Sequence, residues 1–311
     1  MRIIEPSYRI MDELDSRSAA VRLEVCGRVC YKSEDKIGDD SAIPFVTKIA
    51  AHGHNSVLEM AVTTYKLLCS SAVVAELLAC QPRFLTVDVT DEGMLITGSM
   101  RAFREIFAAF PGNRAFSFMR RDLAVSYPYL FPRSGEGADD IPVAGIDSLH
   151  RLSLAEVDLL PKNLRLRHRF VAVRFVVNRA VTHELVRHRP CSFLQESQRY
   201  CRYSEDKFGS EVTFIKPVFF HEGSNEYRLW QESMSQAETA YFRLLETSTP
   251  QAARTVLPNS CKTEIIVFCN LAEWEHIFVL RTSSAAEPSM REIMVPLREE
   301  MEKRYGLCEK E

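Results

Sequence analysis

The spacing of apolar positions switches repeatedly between a helical and an extended period, and each switch marks an element. Residues 2–4 read as a short strand ahead of Pro6, and 18–31 as a helix carrying Val21, Leu23, Val25 and Val29. Asp40 or Ser41 is placed to cap a second helix with Pro44 in its first turn. Residues 62–69 read as extended and 71–80 as helical. A hairpin over 82–99 turns at Asp91-Glu92-Gly93, and a helix over 100–110 follows. Alternating, mostly β-branched residues over 169–177 predict a strand, after which Asn178 caps a helix that ends before Pro190. Residues 212–220 are strand-like. Residues 225–247 predict a long amphipathic helix with Tyr227, Trp230, Met234, Ala237, Tyr241, Leu244 and Leu245 at helical spacing. A strand over 263–269, a helix over 271–281 and a terminal helix from Pro288 complete the pattern. Strands and helices do not alternate in regular βαβ order. The expected class is therefore α+β, a mixed or antiparallel sheet flanked by helices.

Composition narrows the function classes. The chain has 311 residues, 46% apolar and 26% charged, which is ordinary for a globular protein with a sizeable core. A net charge of −3 argues against a general nucleic-acid binder, so any basic site is local and suits a small anionic ligand. The nine cysteines are odd in number and form no CxxC pair, which reads as reduced, buried thiols in a cytoplasmic protein. No apolar run follows the N-terminal charge and none approaches membrane-spanning length, so neither a signal peptide nor a membrane partner is expected.

One stretch stands out. Residues 187–203 read RHRPCSFLQESQRYCRY, with Arg187, Arg189, Arg199 and Arg202 interleaved with His188, Ser192, Ser197, Tyr200 and Tyr203. Guanidinium forks grip phosphate and stack on flat rings, so this density suits a planar, phosphorylated ligand. Phe193, Leu194 and Cys191 run through it and Pro190 breaks it, unlike a solvated basic helix.

Arg187-His188-Arg189, seven residues, Ser197 and then Arg199-Tyr200 is similar to the signature of the flavin-dependent thymidylate synthases. Gly53-His54-Asn55-Ser56 with Glu59 resembles that family's flavin-side segment, and Arg254, Asn270, His276 and Arg281 resemble its C-terminal block. Met60, Leu194 and Ala285 depart from residues common in the family. The resemblance covers roughly 18–68 and 170–300. It implies a single catalytic domain over 1–311, with 82–166 as an inserted subdomain or surface elaboration.

The resemblance also implies roles. FAD would be held by His54, Ser56, Arg187, His188, Arg189, Gln195, Asn270 and His276. dUMP would meet Glu184, Arg187, Gln195, Glu196, Ser197, Gln198, Arg199, Arg254 and Arg281, with Arg199 and Arg254 on its phosphate. Arg281 would be catalytic, stabilising the uracil as N3 ionises. The implied reaction makes dTMP from dUMP with 5,10-methylenetetrahydrofolate and NADPH, in a homotetramer whose sites are shared between subunits.

Other chemistries fit less well. His52 and His54 lack further ligands for a metal, and none is expected. His183-Glu184…His188 has its histidines five apart, not the four a zinc-protease helix needs. Cys191 and Cys201 sit among arginines, but no motif of the classical synthases accompanies them, and they read as packing residues. No dinucleotide-binding or phosphate-loop glycine motif is present. The second Arg-His-Arg, at 167–169, has no serine or Arg-Tyr continuation and reads as a basic strand entry. The remaining alternatives are a divergent flavoenzyme acting on another pyrimidine nucleotide and a non-enzymatic RNA- or nucleotide-binding module.

Overall fold

The computed structural model describes residues 1–132, 144–199, 201, 203 and 209–307. Tyr200, Arg202 and most of the acidic loop at 131–142 lie outside the described residues. In chain order the elements begin with β1 (Arg2–Ile4), β2 (Ser7–Ile10), α1 (Ala19–Tyr31), α2 (Ala42–Ala51), β3 (Val62–Cys69) and α3 (Ser71–Ala79). Next come β4 (Leu85–Thr90), β5 (Gly93–Ser99), α4 (Met100–Ala109), α5 (Arg114–Ser126), β6 (Ile146–Leu152), α6 (Leu154–Asp158) and α7 (Lys162–His168). The remainder is β7 (Phe170–Asn178), α8 (Arg179–Leu185), β8 (Ser192–Gln195), β9 (Thr213–Ile215), α9 (Asn225–Thr247), α10 (Pro250–Ala253), β10 (Lys262–Asn270), α11 (Leu271–Arg281) and α12 (Pro288–Tyr305). The α+β class follows directly.

The chain packs as two compact units. One comprises 1–11, 27–34 and 172–311, and the other 12–26 and 35–171. In the first, a four-stranded sheet has the order β2-β7-β10-β8, with β2 antiparallel to β7 and β8 antiparallel to β10. Parallel pairing of β1 with β9 makes the architecture mixed. β7 and β10 each end in an asparagine whose side chain caps the next helix. Asn178 Oδ1 accepts from the Val181 N–H at the start of α8, and Asn270 Oδ1 from the Glu273 N–H at the start of α11. Two strand–Asn–helix modules thus lie on adjacent strands. Trp274 of α11 is fully buried, 6.4 Å from Phe175 of β7 and stacked on Phe278 at 5.7 Å. A second cluster gathers Tyr203, Phe214, Met234, Tyr241, Leu245 and Cys261, so α9 buries the apolar side its spacing predicts, while Leu244 is exposed.

The second unit is built on an antiparallel sheet of order β4-β5-β3-β6. β3 is central, flanked by β5 and β6. The stretch 82–166 therefore supplies three strands to a sheet whose central strand precedes it. Gly93 turns the hairpin at φ 152°, where an added Cβ would stand 2.0 Å from the Leu67 carbonyl oxygen, so only glycine fits. Tyr65, Phe103, Phe107 and Phe116 fill the core beneath.

Some expectations change. The strand-like run at 212–220 pairs only over β9, because Pro217 offers no N–H to extend the ladder. Ser56 stands before a 3-10 turn, Val57–Met60, but its hydroxyl makes no capping bond. α8 does end before Pro190, as expected; its last residue is Leu185, and a turn fills the interval. β8 was not foreseen: four residues of the arginine-rich stretch form a strand on β10.

Candidate functional site

The site is assembled where α8, β8 and α11 present their ends within the first unit. Arg281 is the last residue of α11, and its guanidinium is held on three sides. Nη1 donates to Glu184 Oε2 at 2.6 Å, Nη2 to the Glu184 carbonyl at 3.1 Å, and Nε to His188 Nε2 at 3.0 Å. The Glu184 carbonyl lies in the last turn of α8, so the cation also complements the negative end of that helix. Three of the five guanidinium N–H groups are engaged here.

His188 is buried, while Arg187 and Arg189 on either side of it are exposed. Their guanidinium groups have no hydrogen bond or ion pair among the described residues. The His188 ring packs edge-on against His276 at 6.0 Å, and its Nδ1 lies 3.6 Å from Glu273 Oε1. Burial, helped by the Arg281 charge and by His276, holds the imidazole down at about 4, so it is neutral near pH 7. Burial raises the Glu273 carboxyl, an effect His276 partly offsets. His188, Glu273 and His276 bring ligand-type atoms within 4.8 Å of one another. The Nε2 lone pair of His188 faces the Arg281 guanidinium, so that nitrogen is committed to a hydrogen bond.

Residues 195–198 of the signature make inward contacts. Gln195 Nε2 donates to Thr182 Oγ1 at 3.1 Å and Thr263 Oγ1 at 3.2 Å, tying β8 to α8 and β10. Glu196 is 3% exposed; Lys262 Nζ donates to its Oε2 at 2.7 Å and the Tyr203 hydroxyl to its Oε1 at 3.0 Å. Lys262 also pairs with Glu264, which receives Lys32 and Arg174, and against the opposing effect of burial Lys262 and Lys32 hold the Glu264 carboxyl down at about 2. Gln198 is buried against Cys261 Sγ at 3.6 Å, and the Ser197 N–H donates to the Cys30 carbonyl at 3.0 Å. Arg199 is exposed, and Arg254 is half-buried at the start of the 3-10 turn Arg254–Val256.

The structure thus brings together Glu184, His188, His276 and Arg281, with Asn270 at the start of α11. Cys191 and Cys201 are buried, as packing residues should be. His54 and Ser56 belong to the second unit, both exposed, on a turn entered through Gly53 at φ 74°. Glu59 there receives Arg101 of α4 at 2.6 Å, so the 82–166 stretch contributes to the segment matched to the flavin side.

Glu273 was missed by the sequence reading. Its signal is the Asn270-x-x-Glu273 capping-box spacing, three residues before His276. Lys262 and Lys32 gave no local signal, because their partners are remote in sequence.

The family described as thymidylate synthase complementing protein matches residues 14–84 and 165–305. A flavin-dependent thymidylate synthase from Pyrococcus furiosus is 38% identical over 128 residues, 41% of this chain and 52% of that protein. One from Geobacter sulfurreducens is 34% identical over 163 residues, 49% of this chain and 68% of that protein. The chain spans about half the length of the Pyrococcus relatives it matches. Among solved structures, a UMP/dUMP methylase from Streptomyces cacaoi bound with 5-Br UMP aligns at TM-score 0.39 and 21% identity, covering 49% of this chain and 78% of that one. The family match spans most of the chain and includes Glu184, the whole signature, Asn270, His276 and Arg281. On that match, the chain belongs to the thymidylate synthase complementing protein family.

Proposed function

We propose that the protein is a flavin-dependent thymidylate synthase. It converts dUMP, 5,10-methylenetetrahydrofolate, NADPH and a proton into dTMP, tetrahydrofolate and NADP⁺. The observation that carries this reading is the Arg281 guanidinium, fixed by Glu184 and His188 with two N–H groups left to meet a ligand.

The donor set fits FAD. Arg187, Arg189 and His276 are exposed cationic or polar groups around a buried neutral imidazole, suited to an anionic cofactor with a flat ring. These residues, with Asn270, would hold it. Bound FAD would supply the hydride that completes the methyl group.

The remaining steps belong to the chain. Arg281 stays charged at any working pH and offers its remaining N–H groups to the uracil as N3 loses its proton, which raises electron density at C5. Glu184 competes for the same guanidinium and yields part of it when dUMP binds. Arg199 and Arg254 meet the nucleotide phosphate as forks rather than point charges. Gln195, cross-linked to Thr182 and Thr263, keeps β8 in register behind the base.

Exposed Val186, Val279 and Leu280 adjoin Arg187 and Arg281 in sequence and support a subunit contact beside the site, in a homotetramer. No described helix is long and apolar enough to cross a membrane, and nine cysteines without a CxxC pair support a cytoplasmic setting. We read 82–166 as an insertion that elaborates the second unit.

The visible absorption spectrum of the purified protein, followed by anaerobic dUMP titration, tests the proposal. Bound flavin whose spectrum shifts with dUMP, together with dTMP formation, is the expected result. Flavin that ignores dUMP would point to another pyrimidine nucleotide. A colourless protein that FAD cannot reconstitute overturns the reading.

A further inference from the structure

We infer that Glu273 is a positioning residue: it selects the His188 tautomer that aims the Arg281 guanidinium at the nucleotide. The inference deepens the dUMP reading and rests on it. A guanidinium Nε–H only donates, so the 3.0 Å contact from Arg281 requires a lone pair on His188 Nε2. The imidazole is therefore neutral, with its proton on Nδ1.

That proton faces Glu273. The Nδ1–Oε1 separation of 3.6 Å is within ion-pair reach and slightly beyond hydrogen-bond length. Glu273 Oε1 is buried and has no hydrogen-bond partner, so an unmet acceptor stands beside an imidazole N–H. The Glu273 backbone is pinned because its N–H donates to Asn270 Oδ1. The carboxylate is thus presented from the first turn of α11 and the arginine from the last, with His188 between them.

The alternative tautomer is self-defeating. A proton on Nε2 would set two donors against each other at the Arg281 contact and push the guanidinium away from its place over Glu184. Glu273 opposes this by stabilising Nδ1–H, the way a carboxylate orients a ligating or catalytic histidine from behind.

The test is ¹⁵N NMR of the histidine-labelled full chain, which reads the tautomer whether or not flavin or nucleotide is bound. The parent is expected to show Nδ1 protonated and Nε2 as an acceptor. Glu273→Ala should lose that preference and weaken dUMP binding about tenfold by titration calorimetry. Glu273→Gln, which keeps an acceptor, should recover most of both. A parent protonated on Nε2 overturns the inference without recourse to any variant, as does Glu273→Ala with an unchanged His188 signature. A parent with the expected tautomer that binds no dUMP overturns the thymidylate synthase reading, and with it only the nucleotide half of the inference.

Discussion

Two Arg-His-Arg triplets, at 167–169 and 187–189, share a sequence and put it to opposite uses. In the first, every member is spent inside the second unit. Arg167 Nε and His168 Nε2 both donate to Asp88 Oδ2, at 2.8 and 2.9 Å. Arg169 reaches Asp15 at 2.6 Å, Asp158 at 3.0 Å and the Phe170 carbonyl. In the second, only His188 is committed inward, and both guanidinium groups face solvent. The two histidines even hold opposite tautomers. His168 donates through Nε2 to Asp88 and accepts the Thr97 hydroxyl at Nδ1 (2.7 Å), while His188 accepts at Nε2. Charges with carboxylates waiting for them build a fold; charges left without partners are available to a ligand.

The largest effect should come from breaking the first triplet. Arg169→Ala deletes a 5%-exposed side chain that both Asp15 and Asp158 engage, leaving Asp15 to Arg22, and urea unfolding should show a loss of about 3 kcal/mol. dUMP binding by the folded fraction should stay at the parental level.

Next is Arg281→Ala. It should cut dTMP turnover about 10²–10³-fold, the usual cost of deleting a donor aimed at developing charge. Its melting temperature should move far less than that of Arg169→Ala. A variant that turns over normally would remove Arg281 from the chemistry.

Arg187→Ala and Arg189→Ala sharpen the contrast further. Each should weaken flavin retention by about 10- to 100-fold, read by fluorescence titration, because a charge-assisted bond is worth about 1.5–3 kcal/mol. Neither should change stability by more than about 0.5 kcal/mol, since exposed side chains without partners are cheap to lose.

The smallest effect is on pH dependence. The His188 pKa is depressed to about 4 from 6.5, so the unfolded chain takes up its proton first as pH falls. The sign follows: stability is unaffected by this group above about pH 6.5 and declines from there towards about 4. At pH 6 the loss should be about 0.8 kcal/mol, and His188→Gln should abolish that share in a pH series of denaturation curves. His168 is also depressed, chiefly by burial, so the double variant should flatten the series more than either single one.

Much of this architecture was legible in the sequence. The extents of α9 and α11 follow from apolar spacing, and in the structure Ser224 and Asn270 cap them. The Arg187–Arg189 cations and the Arg281 block could be singled out because the motif fixes their spacing. Glu196 illustrates what could not be read. As a sequence position it belongs with the ligand-facing signature, yet both its oxygens are engaged by Tyr203 and Lys262. β8 is a similar case: four residues inside an arginine-rich run carry too weak a period to announce a strand, and only β10 alongside makes them one.

By itself the sequence determined element type, caps, turn residues and the family signature, because each depends on neighbours within a few positions of the chain. Only the tertiary structure decided which charges are spent and which are offered. Arg281 meets His188 from 93 positions away, and Lys262 meets Glu196 from 66. An ionised side chain takes its role from the nearest opposite charge and from the water it has lost, and the folded chain alone sets both.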